Sequence, residues 1–224
     1  MDAIGNPDIL RAIADELGDW RKLAQPLVAR YRVADGVGGA EFAAAVAREA
    51  AASRHDIPEL RLGPGHIDIT LYSVDPESGR RGVAAGDLDR ARAITRLAKE
   101  HGLTAVPGEV TQIELCVDTA THASLGPFWA ALLTGDPDNT LVIDTVFDAT
   151  NRVPATWFQR TDPHPTPRQR WHIDLWLAPE AAPQRIALAL AAGGTLVDDT
   201  DPSFTVLADP EGNRACVCTA LGRD

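Results

Sequence analysis

Strict alternation of apolar and polar positions marks two stretches of this chain as strands with one buried face. His66-Ile67-Asp68-Ile69-Thr70-Leu71-Tyr72-Ser73-Val74 is the first, and Thr111-Gln112-Ile113-Glu114-Leu115-Cys116-Val117-Asp118 is the second. Helical spacing links Ile9, Leu10, Ile13 and Leu17 ahead of Gly18, and the alanine-rich run Ala40 to Ser53 predicts a second helix through Phe42, Val46 and Ala50. Gly36-Val37-Gly38-Gly39 in front of that helix reads as a turn, and the apolar stretch Leu23 to Tyr31 as a strand or short helix. A third helix is predicted from Asp87, as its N-cap, to His101, with Gly102 as the stop. Leu103 to Gly108 then reads as a linker.

Beyond the linker one order of elements occurs twice. The 111–118 strand is followed by a helix over about His122 to Leu133 and short strands around Leu141 to Val146 and Thr156 to Arg160. The second pass has a strand over Trp171 to Leu177, a helix over Pro183 to Ala192 ended by Gly193-Gly194, and strands near Leu196, Phe204 to Leu207 and Arg214 to Thr219. Two copies of one element order within about 110 residues make an internal repeat. The expected architecture is α+β in two domains, 1–107 and 109–224.

Composition narrows the function classes. The chain has 224 residues, 45% hydrophobic and 24% charged, which fits a folded protein with a sizeable core. It has no run of about 18 apolar residues of the kind a membrane helix requires. The first residues carry no basic segment followed by an apolar one, so a cytoplasmic location is expected. A net charge of −11 repels phosphate backbones and anionic lipid, so neither nucleic acid nor a membrane is expected as a partner. Three cysteines, Cys116, Cys216 and Cys218, without a CxxC, fit reduced thiols better than a disulfide framework. The expected partner is a small-molecule ligand or substrate.

The second half carries Asp118, then Pro127-Phe128-Trp129-Ala130-Ala131-Leu132-Leu133, Trp157-Phe158-Gln159, Arg170-Trp171-His172-Ile173-Asp174, Ala192-Gly193-Gly194 and Leu207-Ala208-Asp209-Pro210-Glu211-Gly212-Asn213. In this order the motifs resemble the glyoxalase-like branch of the vicinal-oxygen-chelate superfamily. The resemblance implies two βαβββ modules whose sheets curl around one cup-shaped site. In the first half, Asp19-Trp20-Arg21, the Phe42 helix, His55 to Glu59, the Ile67 to Leu71 strand and Gly82-Val83 before Asp87-Leu88 and Ala91 resemble a pterin-4a-carbinolamine dehydratase. That implies an N-terminal α/β sandwich. Both families commonly form oligomers, so a homodimer belongs to the expectation.

The dehydratase resemblance implies a His-His-Pro motif and a third histidine after the next strand, since imidazoles gain and lose protons near neutral pH. With Pro58 matched to the motif's proline, Asp56 and Ile57 stand at the two histidines and Val74 at the third. Isoleucine and valine transfer no protons, so a largely structural N-terminal domain is expected. Only a register slip would bring His55 or His66 into such a site.

Strand alternation groups Gln112, Glu114 and Cys116 on one face, Trp157 and Gln159 on another, His172, Asp174 and Trp176 on a third, and Arg214, Cys216 and Cys218 on a fourth. Metal-dependent members of the resembled superfamily place four ligands on such strands, and motif matching puts Gln112, Gln159, His172 and Cys216 there. Two amides, an imidazole and a thiol offer no charged oxygen for Mg²⁺ or Mn²⁺, and amides are weak partners for zinc. A metal-free cup with no cofactor is therefore expected. His172 is the candidate general acid or base, tuned by Asp174 and Glu114. Gln112, Gln159, Trp157, Trp176 and Cys216 are the candidate substrate-binding residues.

The leading expectation is a lyase-, isomerase- or cyclisation-type enzyme using proton transfer. The alternatives are a 4a-hydroxytetrahydrobiopterin dehydratase and a non-catalytic protein that binds or sequesters a small molecule. Ion pairing of His172 and Asp174 with Arg160, Arg168 or Arg170 stands as the plain structural reading of those residues.

Overall fold

The computed structural model describes residues 3–110, 112, 114–136, 139, 142, 144–160, 162, 173–176 and 182–218, the side chains of Asp118, Asp174 and Trp176 excepted. The chain divides into two compact units, Met1–Gln112 and Ile113–Asp224.

The first unit is a two-layer α/β arrangement. Helix α1 (Asn6–Asp15) leads into β1 (Trp20–Lys22) and β2 (Leu27–Arg32), then α2 (Gly36–Ala52), β3 (Glu59–Gly63) and β4 (His66–Leu71). A small hairpin of β5 (Ser73–Val74) and β6 (Arg81–Gly82) precedes α3 (Ala85–Glu100) and β7 (Thr104–Ala105). The antiparallel sheet has the order β1-β2-β4-β3, with β7 also paired to β2. Alternation along β4 is borne out: Ile67, Ile69 and Leu71 are buried, and they join Leu27, Ala29 and Tyr31 of β2 against Phe42, Val46, Ala91 and Ile94 of the helices.

Several local expectations need correction. Gly36-Val37-Gly38-Gly39 is not a turn but the first turn of α2, because Asp35 caps it by accepting a hydrogen bond from the Gly38 amide at 2.8 Å. A Cβ on Gly39 would lie 2.3 Å from Leu62 Cδ1, so glycine here permits close approach of helix and sheet. Asp87 is not the N-cap of α3. It sits at the third helical position, fully buried, and its carboxylate reaches back to the Ala84 amide at 2.8 Å, satisfying a donor the helix leaves open. The expected linker at Leu103 to Gly108 instead contributes β7 and a 3₁₀ turn at Pro107–Glu109. Arg32 ties that turn back to β2 through Glu109 at 2.7 Å.

The second unit shows the repeat as topology. β8 (Glu114–Thr119), α4 (His122–Thr134), β9 (Thr145–Val146) and β10 (Ala155–Arg160) form the first pass. The second comprises β11 (Ile173–Trp176), α5 (Ala182–Ala191), β12 (Thr195–Asp198), β13 (Phe204–Ala208) and β14 (Arg214–Cys218). In each pass the opening strand runs parallel to the closing one, β8 beside β10 and β11 beside β14, and an antiparallel neighbour follows, giving β8-β10-β9 and β11-β14-β13-β12.

The loops repeat as well. Asp148 and Asp209, both buried, each accept hydrogen bonds from the backbone of the loop they open. Three residues later each loop has a left-handed residue, Asn151 at φ 52° and Gly212 at φ 87°. The Asp209 to Asn213 segment is thus a tight turn, as its composition predicts.

Helices α4 and α5 pack together and form one core with both sheets through Phe128, Leu132, Phe158, Ala189, Leu207 and Val217. α4 ends at Gly135 in the left-handed conformation, and Arg185 of α5 donates to the freed carbonyls of Leu132 and Leu133 at 2.6 and 3.1 Å. Two further bonds join the modules. Trp129 Nε1 of α4 donates to Asp209 Oδ2 at 3.0 Å, and Thr119 Oγ1 of β8 to Glu211 Oε1 at 2.7 Å.

Candidate functional site

The strands of the second unit use one face for the core and turn the other away from the helices. On β10, Thr156 and Phe158 are buried while Trp157 is half-buried and Gln159 exposed, and on β8 Glu114 and Cys116 are exposed. The parallel register sets Ala155 level with Glu114, Trp157 with Cys116 and Gln159 with Asp118. Glu114, Cys116, Trp157 and Gln159 therefore share one face. Cys116 Sγ lies 3.6 Å from Gln159 Oε1, a thiol donating weakly to an amide oxygen. The Gln159 amide nitrogen takes no part in that contact.

The other sheet repeats the arrangement at backbone level. Asp174 is level with Cys216 and Trp176 with Cys218, while Ile173, Leu175, Ala215 and Val217 belong to the core side. Cys216 and Cys218 are both buried. β14 is thus enclosed on both faces, whereas β8 is open on one.

Not all of the expected site residues come together. Gln112 falls in the first unit, where its Oε1 accepts from the Ala24 amide at 3.1 Å and its Nε2 donates to Gln25 Oε1 at 3.0 Å. Its amide is engaged there and does not extend the Glu114 face. His172 lies outside the described residues, as do the side chains of Asp174 and Trp176 and the arginines Arg168 and Arg170. The resembled metal set of Gln112, Gln159, His172 and Cys216 fits an ion poorly on donor chemistry, and its first amide is already hydrogen-bonded elsewhere. Among the described residues no three His, Cys, Asp or Glu side chains are grouped to hold a metal ion.

In the first unit, a cleft of about 360 Å³ collects the positions where the dehydratase motif would stand: Asp56, Ile57 and Pro58 on one side, Val74 on another. Among the described residues lining it none is histidine. His55 lines a different groove and His66 Nδ1 lies 3.1 Å from the Pro64 carbonyl, so neither slips into the cleft. Trp20 and Asp19 are structural there: Trp20 Nε1 donates to Thr95 Oγ1 at 3.0 Å in the core, and Tyr31 donates its hydroxyl to Asp19 at 3.0 Å.

What residue-level reading missed is Arg90. It donates to the Asp56 carbonyl at 3.2 Å and pairs with the buried Asp87, while its Nε is buried with no partner among the described residues. Its position i+3 from Asp87 was the available signal.

Three solved structures are similar to this chain, each over half of its length or less. A transcriptional coactivator/pterin dehydratase from Brucella melitensis is 21% identical, with a TM-score of 0.37, covering 43% of this chain and 99% of its own. A glyoxalase/bleomycin resistance protein from Albidiferax ferrireducens T118 is 19% identical, with a TM-score of 0.39, covering 47% and 95%. A hypothetical protein from S. aureus is 14% identical, with a TM-score of 0.36, covering 50% and 100%. Among curated proteins, none matches in sequence. No helix among the described residues is long and apolar enough to cross a membrane. The family model of the glyoxalase-like domain matches residues 114–218, so the C-terminal unit carries a glyoxalase-like domain.

Proposed function

We propose that the C-terminal unit is a small-molecule enzyme that moves a proton on a carbonyl-bearing metabolite without a metal. The observation that carries this reading is the shared face of Glu114, Cys116, Trp157 and Gln159 on the parallel pair β8 and β10, turned away from the core. Trp157 offers a flat apolar wall, and the Gln159 amide, oriented by Cys116, offers a donor to the substrate oxygen. His172 removes the proton next to the carbonyl and returns it to a neighbouring position. Glu114 and Asp174 are the carboxylates assigned to tuning that imidazole. The N-terminal unit is a structural companion, because the cleft holding Asp56, Ile57 and Val74 lacks an imidazole among its described residues.

The test is solvent deuterium incorporation, followed by proton NMR, across a panel of α-hydroxy and α-keto compounds. Wild-type protein dialysed against EDTA exchanges one carbon-bound proton of its substrate, His172→Ala abolishes exchange, and Gln159→Leu weakens substrate binding. Exchange that persists at the wild-type rate in His172→Ala refutes the role of His172. Ligand binding without exchange in any variant favours a sequestering protein instead.

A further inference from the structure

A second small-molecule site is built into the first unit, between α2 and α3. The two helices run antiparallel: the Phe42 ring of α2 packs edge-on to His101 beyond the end of α3, at 5.6 Å, and His55 beyond the end of α2 lies beside Gly86 at the start of α3. Where they face each other, Ala50 and Ala93 are too small to fill the gap. A groove of about 300 Å³ results, floored by Val46, Ala50, Ala93 and Ile94. That volume lies at the lower end of the range for small-molecule sites.

The charges around the groove are unevenly engaged. Asp89 receives Arg92 Nη1 at 2.6 Å, Glu49 receives the Ser53 hydroxyl at 2.9 Å, and Arg92 is also bound by Glu16. Arg90 is held by Asp87. The basic side chains left over are Arg96 at one end and His55 at the other, neither with a side-chain hydrogen bond or ion pair among the described residues. They are separated by about ten residues of α3, or ~15 Å at ~1.5 Å per residue. The groove thus presents an apolar floor with an unpaired guanidinium at one end, in a protein whose net charge is −11.

We propose that this groove binds a small organic carboxylate, its aliphatic or flat body on the Ala50 and Ala93 floor and its carboxylate on Arg96. For a cationic ligand, Asp89 is already paired with Arg92 and Glu49 already accepts the Ser53 hydroxyl, and a neutral ligand gains only the floor. The guanidinium supplies paired donors matched to a carboxylate, so charge and not shape sets the preference.

The test is titration calorimetry of the full chain with octanoate, octanol and octylamine. Octanoate binds at least ~10-fold more tightly than octanol, and octylamine more weakly than either. Arg96→Gln, an exposed position that leaves the fold intact, brings octanoate down to octanol. Ala93→Leu fills the floor and weakens both, and its circular dichroism melt confirms folding. Equal binding of octanoate and octanol by wild-type protein overturns the proposal, as does an octanoate preference that survives Arg96→Gln, or no binding at millimolar octanoate.

Discussion

Removing the Asp209 carboxylate should weaken the C-terminal unit by several kcal/mol. Asp209 is 2% exposed and accepts four hydrogen bonds: from Trp129 Nε1 at 3.0 Å, the amides of Glu211 and Asn213 at 2.9 and 2.8 Å, and Asn213 Nδ2 at 2.7 Å. In Asp209→Ala the indole N–H of Trp129, itself 2% exposed, stays buried without an acceptor, at a cost of ~2 kcal/mol. The three loop donors are only partly buried and recover water, losing ~0.5 kcal/mol each. The expected loss is about 3–4 kcal/mol. Trp129→Phe removes one bond and leaves Asp209 its other three donors, so it should cost only ~1–2 kcal/mol. Urea unfolding followed by tryptophan fluorescence reads this unit, since four of the five tryptophans lie in it. With a slope of ~2 kcal/mol per molar urea, Asp209→Ala moves the midpoint down by about 1.5–2 M. A shift below ~0.3 M, or Trp129→Phe costing as much as Asp209→Ala, would show that Asp209 is not the acceptor that joins α4 to the β13–β14 turn.

The two repeat loops give a pair of opposite predictions. Asn151→Gly relieves a left-handed residue and raises stability by ~0.5 kcal/mol, while Gly212→Ala, at φ 87°, lowers it by ~1 kcal/mol; thermal melts distinguish the signs. Gly194→Ala places a methyl 2.4 Å from the Phe128 ring and 2.8 Å from the Ala189 carbonyl, so ~1–3 kcal/mol is lost in the same melts. Burial pushes the Asp148 carboxyl up, but hydrogen bonds from the amides of Thr150, Arg152 and Val153 outweigh it and hold it below the usual carboxylate range. Its stabilisation is therefore complete above the unfolded value near pH 4 and is lost as pH falls through the lower folded value. Asp148→Asn should be less stable at neutral pH and show a shallower stability loss between about pH 5 and 3 in urea titrations.

The sequence carries enough information for the fold wherever one side of an element meets the core. Ile67, Ile69 and Leu71 alternate because β4 packs on helices from one side, and the repeated order of strand and helix in the second half follows from two sheets sharing α4 and α5. Short or edge strands escape this logic. β1, β3 and β7 bury too few side chains to imprint a period, so Trp20–Lys22 and Thr104–Ala105 carried no strand signal. Both helix starts were misplaced for a related reason: Asp35 and Asp87 act through side-chain oxygens that reach backbone amides three residues ahead and three behind, a direction composition does not record. At the candidate site, alternation grouped Glu114 with Cys116 and Trp157 with Gln159, and the pairing of β8 with β10 joins those two sets. Gln112 was grouped with them by alternation alone, and alternation does not reveal where one compact unit ends and the next begins.

The burial of the two sheets decides which strands can meet a substrate. β14 has Ala215, Cys216, Val217 and Cys218 all buried, so its thiols face no open solvent despite lying opposite the core side. On β8 and β10, by contrast, Cys116 and Gln159 are exposed and Trp157 is half-buried, the face proposed above for the substrate. Burial shelters the Cys216 and Cys218 thiols from reagents in solvent. Alkylation should then separate the cysteines: a small iodoacetamide reagent under native conditions labels Cys116 well ahead of Cys216 and Cys218. A substrate of the Trp157 face protects Cys116 from that label, because the thiol that orients Gln159 lies under it. Labelling of Cys116 at an unchanged rate in the presence of saturating substrate would place the chemistry away from β8 and β10.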